Sequence, residues 1–432
     1  MKLTVNKETA LFLTRTFRAA GAPAQSGFHA ASASEQPGFP AVGASEHRKA
    51  AAAPATHRAA TPGAPSAYCA IFESAPRRDL EAPDPSPRKR WSKGLFDLSR
   101  FGIDLPEMPS LPLSVCVPRQ DLRIASSSVK STVYDGGLPP RAFIDLGGGL
   151  AMSSPELLFM ELANQMTPIE HLAFGFELCG AFTRDASDPI GGPSTFGVTP
   201  VTSVEKIKRF VDASKHVKGR TAAQRTLRYL SDNAWSPTES IIAAAISLPL
   251  EDYGYGLGSC TLNPCVEAPA NVARAAAKPS RMPDIMIGGT KVGINYDGAV
   301  HLDLGSIVNA ASEVGRNPEQ ARPEAALNAA VRDVRAKVVD DIRRNRELAA
   351  AGLTVFPVVK EDLYERGGLD RVMMQVVDAV ARQTNRDLSR VQEALQHGFA
   401  AKERQRALLS LLPRTGPDEI YDRSTTEAFI SF

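Results

Sequence analysis

Residues 283–301 read Pro-Asp-Ile-Met-Ile-Gly-Gly-Thr-Lys-Val-Gly-Ile-Asn-Tyr-Asp-Gly-Ala-Val-His. They gather the groups of the chain best able to do chemistry together. Asp284 follows a turn and opens a short apolar strand. A second strand ends in Asn295, Tyr296 and Asp297, and His301 stands just beyond. Two carboxylates and an imidazole at neighbouring strand ends suit metal-dependent phosphodiester hydrolysis. Carboxylate oxygens hold a hard cation such as Mg²⁺, and the cation activates water and shields phosphate charge. Asp284, Asn295 and Asp297 are the candidate metal ligands, although an asparagine lends only a neutral oxygen and cannot serve as a general base. His301 can protonate a leaving group or orient water. Plainer roles exist beside these: Asp284 can finish the turn after Pro283, and His301 can be a surface residue.

Three further groups belong to the same argument. Glu239 lies in Ser236-Pro237-Thr238-Glu239, a capping-box pattern that gives this carboxylate a structural reason to exist. Asp341 and Arg344 are spaced to share one helix face, where they can form an ion pair. Lys206, Lys208, Arg209, Lys215, Lys218, Arg220, Arg225 and Arg228 form the strongest basic concentration, with Asp212 as the only acid between them. Such a stretch can contact the phosphates of DNA without reading its sequence. It can equally be a solvated face balanced by acids elsewhere.

The elements that must position these residues follow from periodicity and breakers. Residues 2–5 predict a strand and 8–18 a short helix. Residues 113–117, 129–134 and 143–146 alternate as strands do, with Gly147-Gly-Gly149 as a turn. Ser154 followed by Pro155 marks a helix start, and 169–179 predict a second helix. Residues 204–230 predict two helices broken near Gly219. From 236 onward the expected order is a helix (236–248), strands at 262–266, 284–287 and 291–296, a long helix (322–351) stopped by Gly352, and a strand (353–359). A short helix at 306–314 is expected in between, and helices at 369–382 and 388–399 follow.

The chain has 432 residues, 43% hydrophobic, with a formal net charge of +2. That length suggests two or three domains, and the near-neutral charge carries no argument for nucleic acid; only the local basic stretch does. The five cysteines are scattered, without a second close pair to complete a zinc site, and fit free thiols of a reducing cytoplasm. No run approaches the roughly 18 apolar residues of a membrane span, and the start lacks the apolar run of a signal peptide. Residues 21–90 are rich in Ala, Pro, Ser, Gly and His, a composition expected to be disordered, with a brief ordered piece at 68–72.

Residues 234–377 resemble the PD-(D/E)XK nucleases, and among them the very-short-patch-repair-endonuclease-like domain. The resemblance rests on Asp284, on Asn295-Tyr296-Asp297-Gly298 with His301, and on Asp341 and Arg344 before Gly352. It implies Mg²⁺-dependent DNA cleavage and makes Glu239 the helix-borne acid facing the site. Asn295 departs from the family's Glu, although the repair branch also lacks one there. Asp297 replaces the family's lysine. Residues 111–233, through Ser154-Pro-Glu-Leu-Leu-Phe159 and Phe176-Glu-Leu-Cys-Gly180, resemble the middle region of abortive-infection-type antitoxin regulators. No helix-turn-helix is evident.

The resulting expectation is an α/β chain of a bacterial, cytoplasmic protein: an N-terminal strand and helix (1–20), a mostly disordered insertion (21–110), an α+β middle domain (111–233), a restriction-endonuclease-like αβββαβ core (234–400) and a tail (401–432). The first functional expectation is a DNA endonuclease with Asp284, Asp297, Glu239 and His301 as catalytic groups. The alternative is a non-catalytic DNA-binding regulator or antitoxin, which would have a toxin as protein partner.

Overall fold

The computed structural model describes residues 3–22, 112–134, 137–267, 280–297 and 321–414, with short pieces at 72, 77–78, 96–101, 103 and 278. His301, the helix expected at 306–314 and most of residues 21–110 lie outside the described residues. The chain is a mixed α/β protein. Among the described residues no helix is long and apolar enough to cross a membrane.

Strand β1 (Leu3–Val5) and helix α1 (Lys7–Ala20) open the fold. β1 is buried on both faces and sits inside a six-stranded sheet. The other strands are β2 (Arg77–Arg78), β3 (Leu113–Val117), β4 (Val129–Val133), β5 (Phe143–Gly147) and β6 (Leu150–Ser153), in the order β2-β5-β6-β1-β3-β4. β1 runs parallel to β6, with Leu3 opposite Leu150, and antiparallel to β3, with Val5 opposite Val115. The first residues of the chain therefore complete the middle domain. Of the long insertion, Phe72, Phe96 and Leu98 are buried in the core; Phe72 lies in the piece expected to be ordered, whereas Phe96 and Leu98 fall in the part expected to be mostly disordered. Phe17 of α1 meets Phe72 and Phe101 edge-on at 6.4 and 5.3 Å, burial that favours the folded state by about 1.5–3 kcal/mol for such a side chain.

Buried charge fixes α1 against the helices α2 (Pro155–Leu162) and α3 (Pro168–Cys179). Glu161 of α2 faces the N-terminus of α1, where it accepts from the Lys7 N–H at 3.2 Å, Asn6 Nδ2 at 3.1 Å and the Tyr134 hydroxyl at 2.7 Å. A carboxylate at a helix N-terminus meets the positive end of the helix dipole. Arg15 grips Glu177 through two bonds of 2.9 and 2.8 Å, and Arg18 donates to the carbonyls of Glu177 and Gly180 at 2.6 and 2.7 Å. Burial alone would raise the Glu177 carboxyl, but the Arg15 guanidinium beside it outweighs that and brings it to about 2.

Helices α4 (Val204–Ala213) and α5 (Arg220–Leu227) pack on α2 and α3. The break between them is at Gly219, whose φ is +97° and whose missing Cβ would lie 2.2 Å from the Met160 carbonyl oxygen. No other residue fits there without displacing backbone. Buried His171 ties α3 to its neighbours, with Nδ1 2.7 Å from the Thr226 hydroxyl and Nε2 2.7 Å from the Phe159 carbonyl.

Helix α6 (Pro237–Ser247) leads into the second sheet. Its strands β9 (Cys260–Leu262), β12 (Ile285–Ile287), β13 (Val292–Asp297) and β14 (Thr354–Val359) stand in the order β14-β13-β12-β9. Small two-stranded pairs, β7 (Phe182–Thr183) with β8 (Thr195–Phe196) and β10 (Val266–Glu267) with β11 (Ser280–Arg281), lie outside it. β9, β12 and β13 are antiparallel neighbours. β14 runs parallel to β13 after the helix α7 (Ala321–Ala350), with Asn295 opposite Pro357. The succession helix, three strands, helix, strand expected from the sequence is present. Gly352, at φ +77°, turns the chain out of α7, as a glycine after a helix C-terminus does.

Several elements depart from the sequence reading: the strand expected at 262–266 is split into β9 at Cys260–Leu262 and β10 at Val266–Glu267, and two further departures bear on the core. Residues 150–153 read only as the passage from a turn to a helix, yet they form β6 beside β1 near the middle of its sheet, because their apolar side chains gain a partner on each side. The chain beyond residue 400 reads as a tail, yet it is folded. After α8 (Lys360–Tyr364), α9 (Gly368–Thr384) and α10 (Ser389–Gln396), helix α11 (Gly398–Leu409) carries Arg404 into the core. Arg404 is 1% exposed and donates to Asp370 at 2.8 Å, while Tyr255 donates to the same carboxylate at 2.7 Å.

Candidate functional site

Alternation along β13 divides the site between two helices. Tyr296 faces α6 and meets Thr238. Asn295 and Asp297, on the opposite face, meet Asn345 and Arg344 of α7. Asp284 heads β12 directly beside Asn295, because Ile285 stands opposite Ile294. The structure thus brings Asp284, Asn295 and Asp297 to adjacent strand ends, with Glu239 of α6 near enough to Asp284 to feel its charge.

Each side chain already has protein partners. Asn295 is 1% exposed; its Oδ1 accepts the Asp284 N–H at 3.1 Å, and its Nδ2 donates to Asn345 Oδ1 at 3.5 Å. Asp284 Oδ2 accepts the Tyr296 N–H at 2.6 Å. Arg344 places Nη2 3.1 Å from Asp297 Oδ1 and 3.5 Å from Asp341 Oδ1. Glu239 Oε1 accepts from Asn263 Nδ2 at 2.6 Å and its Oε2 from the Trp235 N–H at 3.1 Å, while its own N–H donates to Ser236 Oγ at 3.1 Å. The capping role of Ser236 is real, and Glu239 also locks the chain before α6.

Burial pushes the Asp284 carboxyl up to about 6; Arg344 and the Tyr296 N–H oppose the rise, and Asp297 and Asp341 add to it. Burial likewise holds Glu239 well above the usual carboxylate range, with Asp284 contributing.

As arranged, the donors do not fit a resident divalent ion. The Asn295 oxygen faces an N–H, and Asp297 faces a guanidinium that would repel a cation. No group of three or more His, Cys, Asp or Glu side chains able to hold a metal occurs among the described residues. Asn263 and Asn345 organise Glu239 and Asn295, and the sequence does not single them out. Nothing in their spacing marks them, since their partners lie 24 and 50 residues away.

The basic stretch has a mixed character. Arg209 pairs with Glu205 at 3.3 Å, Arg225 pairs with Asp252, and Arg220 Nε donates to the Val211 carbonyl at 3.1 Å. Arg228 lies over the Tyr229 ring, 4.9 Å from its centroid. Lys206, Lys208, Lys215 and Lys218 are exposed and carry no ion pair among the described residues. Beside α4 a depression of about 460 Å³ opens between Pro139, Pro140, Arg141, Lys206 and Arg209.

No family model matches the chain, and no curated protein or solved structure matches it.

Proposed function

We propose that the chain is a DNA-binding protein of a bacterial cytoplasm, which binds through the basic stretch 206–228 and carries a restriction-endonuclease-like C-terminal domain that does not hydrolyse. The observation that carries this reading is the state of Asn295, buried and bonded to the Asp284 N–H. A metal ligand needs a free oxygen facing an open cleft; this one is closed by its own neighbours. The succession α6-β9-β12-β13-α7-β14, with β14 parallel to β13, supports the nuclease-like descent of the domain. The exposed lysines of 206–218 supply phosphate contacts of a kind that binds without reading bases. A regulator or antitoxin, with a toxin as partner, is the role such a protein would fill.

A second reading, Mg²⁺-dependent endonuclease, is favoured by the adjacent strand ends that carry Asp284 and Asp297, with Asp341 joined to Asp297 through Arg344. One experiment separates them. The full chain is titrated with fluorescent duplex DNA, and in parallel incubated with plasmid, nicked and mismatched DNA plus Mg²⁺. Salt-dependent binding with intact DNA is expected. Mg²⁺-dependent cleavage selects the endonuclease, and absence of binding removes both.

A further inference from the structure

We infer that the outward face of α7 is a docking surface for the acidic, aromatic segment 415–432 of the same chain. That face is apolar and basic at once. Val331, Val338, Val339 and Ile342 are 45, 38, 38 and 53% exposed. Val331, Arg335, Val338, Ile342 and Arg346 follow one another in steps of three or four, so they form one row along the helix. Arg332, Val339 and Arg343 flank the row. Arg344 and Leu348, on the opposite side of the helix, are buried. Arg332, Arg335, Arg343 and Arg346 are exposed and carry no ion pair among the described residues. The acids that could balance them are engaged elsewhere: Asp340 by Lys278 and Arg281, Glu347 by Arg281, and Asp341 by Arg344. Exposed hydrophobic residues scattered singly need no explanation, whereas a row of them marks a contact surface. The guanidinium groups set among them select an acidic, apolar occupant.

Residues 415–432 lie outside the described residues, and their composition is the complement of this face. They hold Asp418, Glu419, Asp422 and Glu427 against Arg423 alone, together with Ile420, Tyr421, Phe429, Ile430 and Phe432. The place where they leave the described chain fits as well. The Leu348 carbonyl, in the last turns of α7, accepts the N–H of Leu353 just before β14. Arg344 already reaches Asp297, the last residue of β13, which stands opposite Val359 at the end of β14. The residues of α7 before Arg344 therefore project beyond the strand ends, and Val331 stands about 20 Å further along the helix axis. Helix α8 follows β14 at that same end, and its Tyr364 hydroxyl donates to the Pro413 carbonyl at 2.6 Å. Segment 415–432 thus departs from the end of the sheet beyond which α7 projects. Its 18 residues reach about 60 Å when extended, ample length to lie along the row.

The test keeps the full chain and places a photo-reactive benzoylphenylalanine at position 429. Chains with light and heavy isotopes are mixed in equal amounts and irradiated, and the cross-linked peptides are read by mass spectrometry. Cross-links should join segment 415–432 to residues 331–346, with both peptides carrying the same isotope label. Arg335→Glu and Ile342→Asp should each lower the yield about tenfold, whereas Arg335→Lys, which keeps the charge, should nearly preserve it. Both positions are exposed, so these variants should melt like the parent chain. Hydrogen exchange gives a second reading without the probe: amides of α7 between 331 and 343 should exchange faster in a Phe429→Asp, Ile430→Asp chain than in the wild type. Cross-links between light and heavy chains would assign the face to a second copy and overturn the inference. Cross-links to the lysines of 206–218, or a yield indifferent to Arg335→Glu and Ile342→Asp, would overturn it too. So would unchanged exchange in α7.

Discussion

The side-chain oxygen of Asn295 accepts the backbone N–H of Asp284 at 3.1 Å, joining the ends of two strands where acids would otherwise face each other. An asparagine does this without adding charge. Asn295→Ala should leave the Asp284 N–H unpaired and lower stability by about 1–3 kcal/mol. Asn295→Glu should also destabilise, because it adds a charge at a position 1% exposed. Urea unfolding curves of both variants check this, and an Asn295→Glu protein as stable as the wild type would contradict it.

Acid sensitivity should arise in part at His171. Burial lowers its pKa to about 4, although the bond to the Phe159 carbonyl partly opposes the shift. The unfolded state, titrating near 6.5, binds the proton more readily than the folded state does. Stability from this group is therefore complete above about pH 6.5 and is lost as pH falls toward 4. The expected loss at pH 5 is about 2 kcal/mol. His171→Gln, which cannot take up the proton, should flatten that part of the stability–pH curve. A variant with an unchanged curve would assign the sensitivity elsewhere.

DNA binding through α4 and the loop after it should weaken when the exposed lysines are removed. Combined Lys206→Ala, Lys208→Ala, Lys215→Ala and Lys218→Ala should reduce affinity for all sequences alike. The slope of log affinity against log salt should also fall, by about 0.9 for each phosphate no longer neutralised. Fluorescence anisotropy over a salt series measures both. Asp284→Ala should leave this binding intact, since Asp284 lies at the second sheet.

The end of the described chain should matter for stability. Arg404 is buried against Asp370 and over the Tyr255 ring, 4.7 Å from its centroid. Arg404→Ala leaves that carboxylate without its charge partner, an arrangement expected to destabilise by about 3–5 kcal/mol. Truncation after Phe399 removes Arg404 together with buried Leu408 and Leu412 and should lower the melting temperature at least as far. A truncated chain melting like the intact one would show that α11 contributes nothing.

Local features of this protein are legible in its sequence because they depend on neighbours along the chain. Ser154 and Ser236 cap helices, Gly219 and Gly352 take backbone angles that other residues resist, and the alternation in 292–297 marks a strand. The helix spacing of Asp341 and Arg344 announces their pairing. Tertiary structure decided what lies across the sequence. It set β1 between β6 and β3, drew Phe72 into the core and brought Arg404 to Asp370. It also turned Arg344 toward Asp297, 47 residues away, and sealed Asn295 beneath α7. Periodicity states which face of an element is apolar, but not which distant element will cover it. The candidate residues are therefore visible as residue types, while their partners, which determine whether an oxygen is open to a cation or closed by an N–H, exist only once α7 has packed on the sheet.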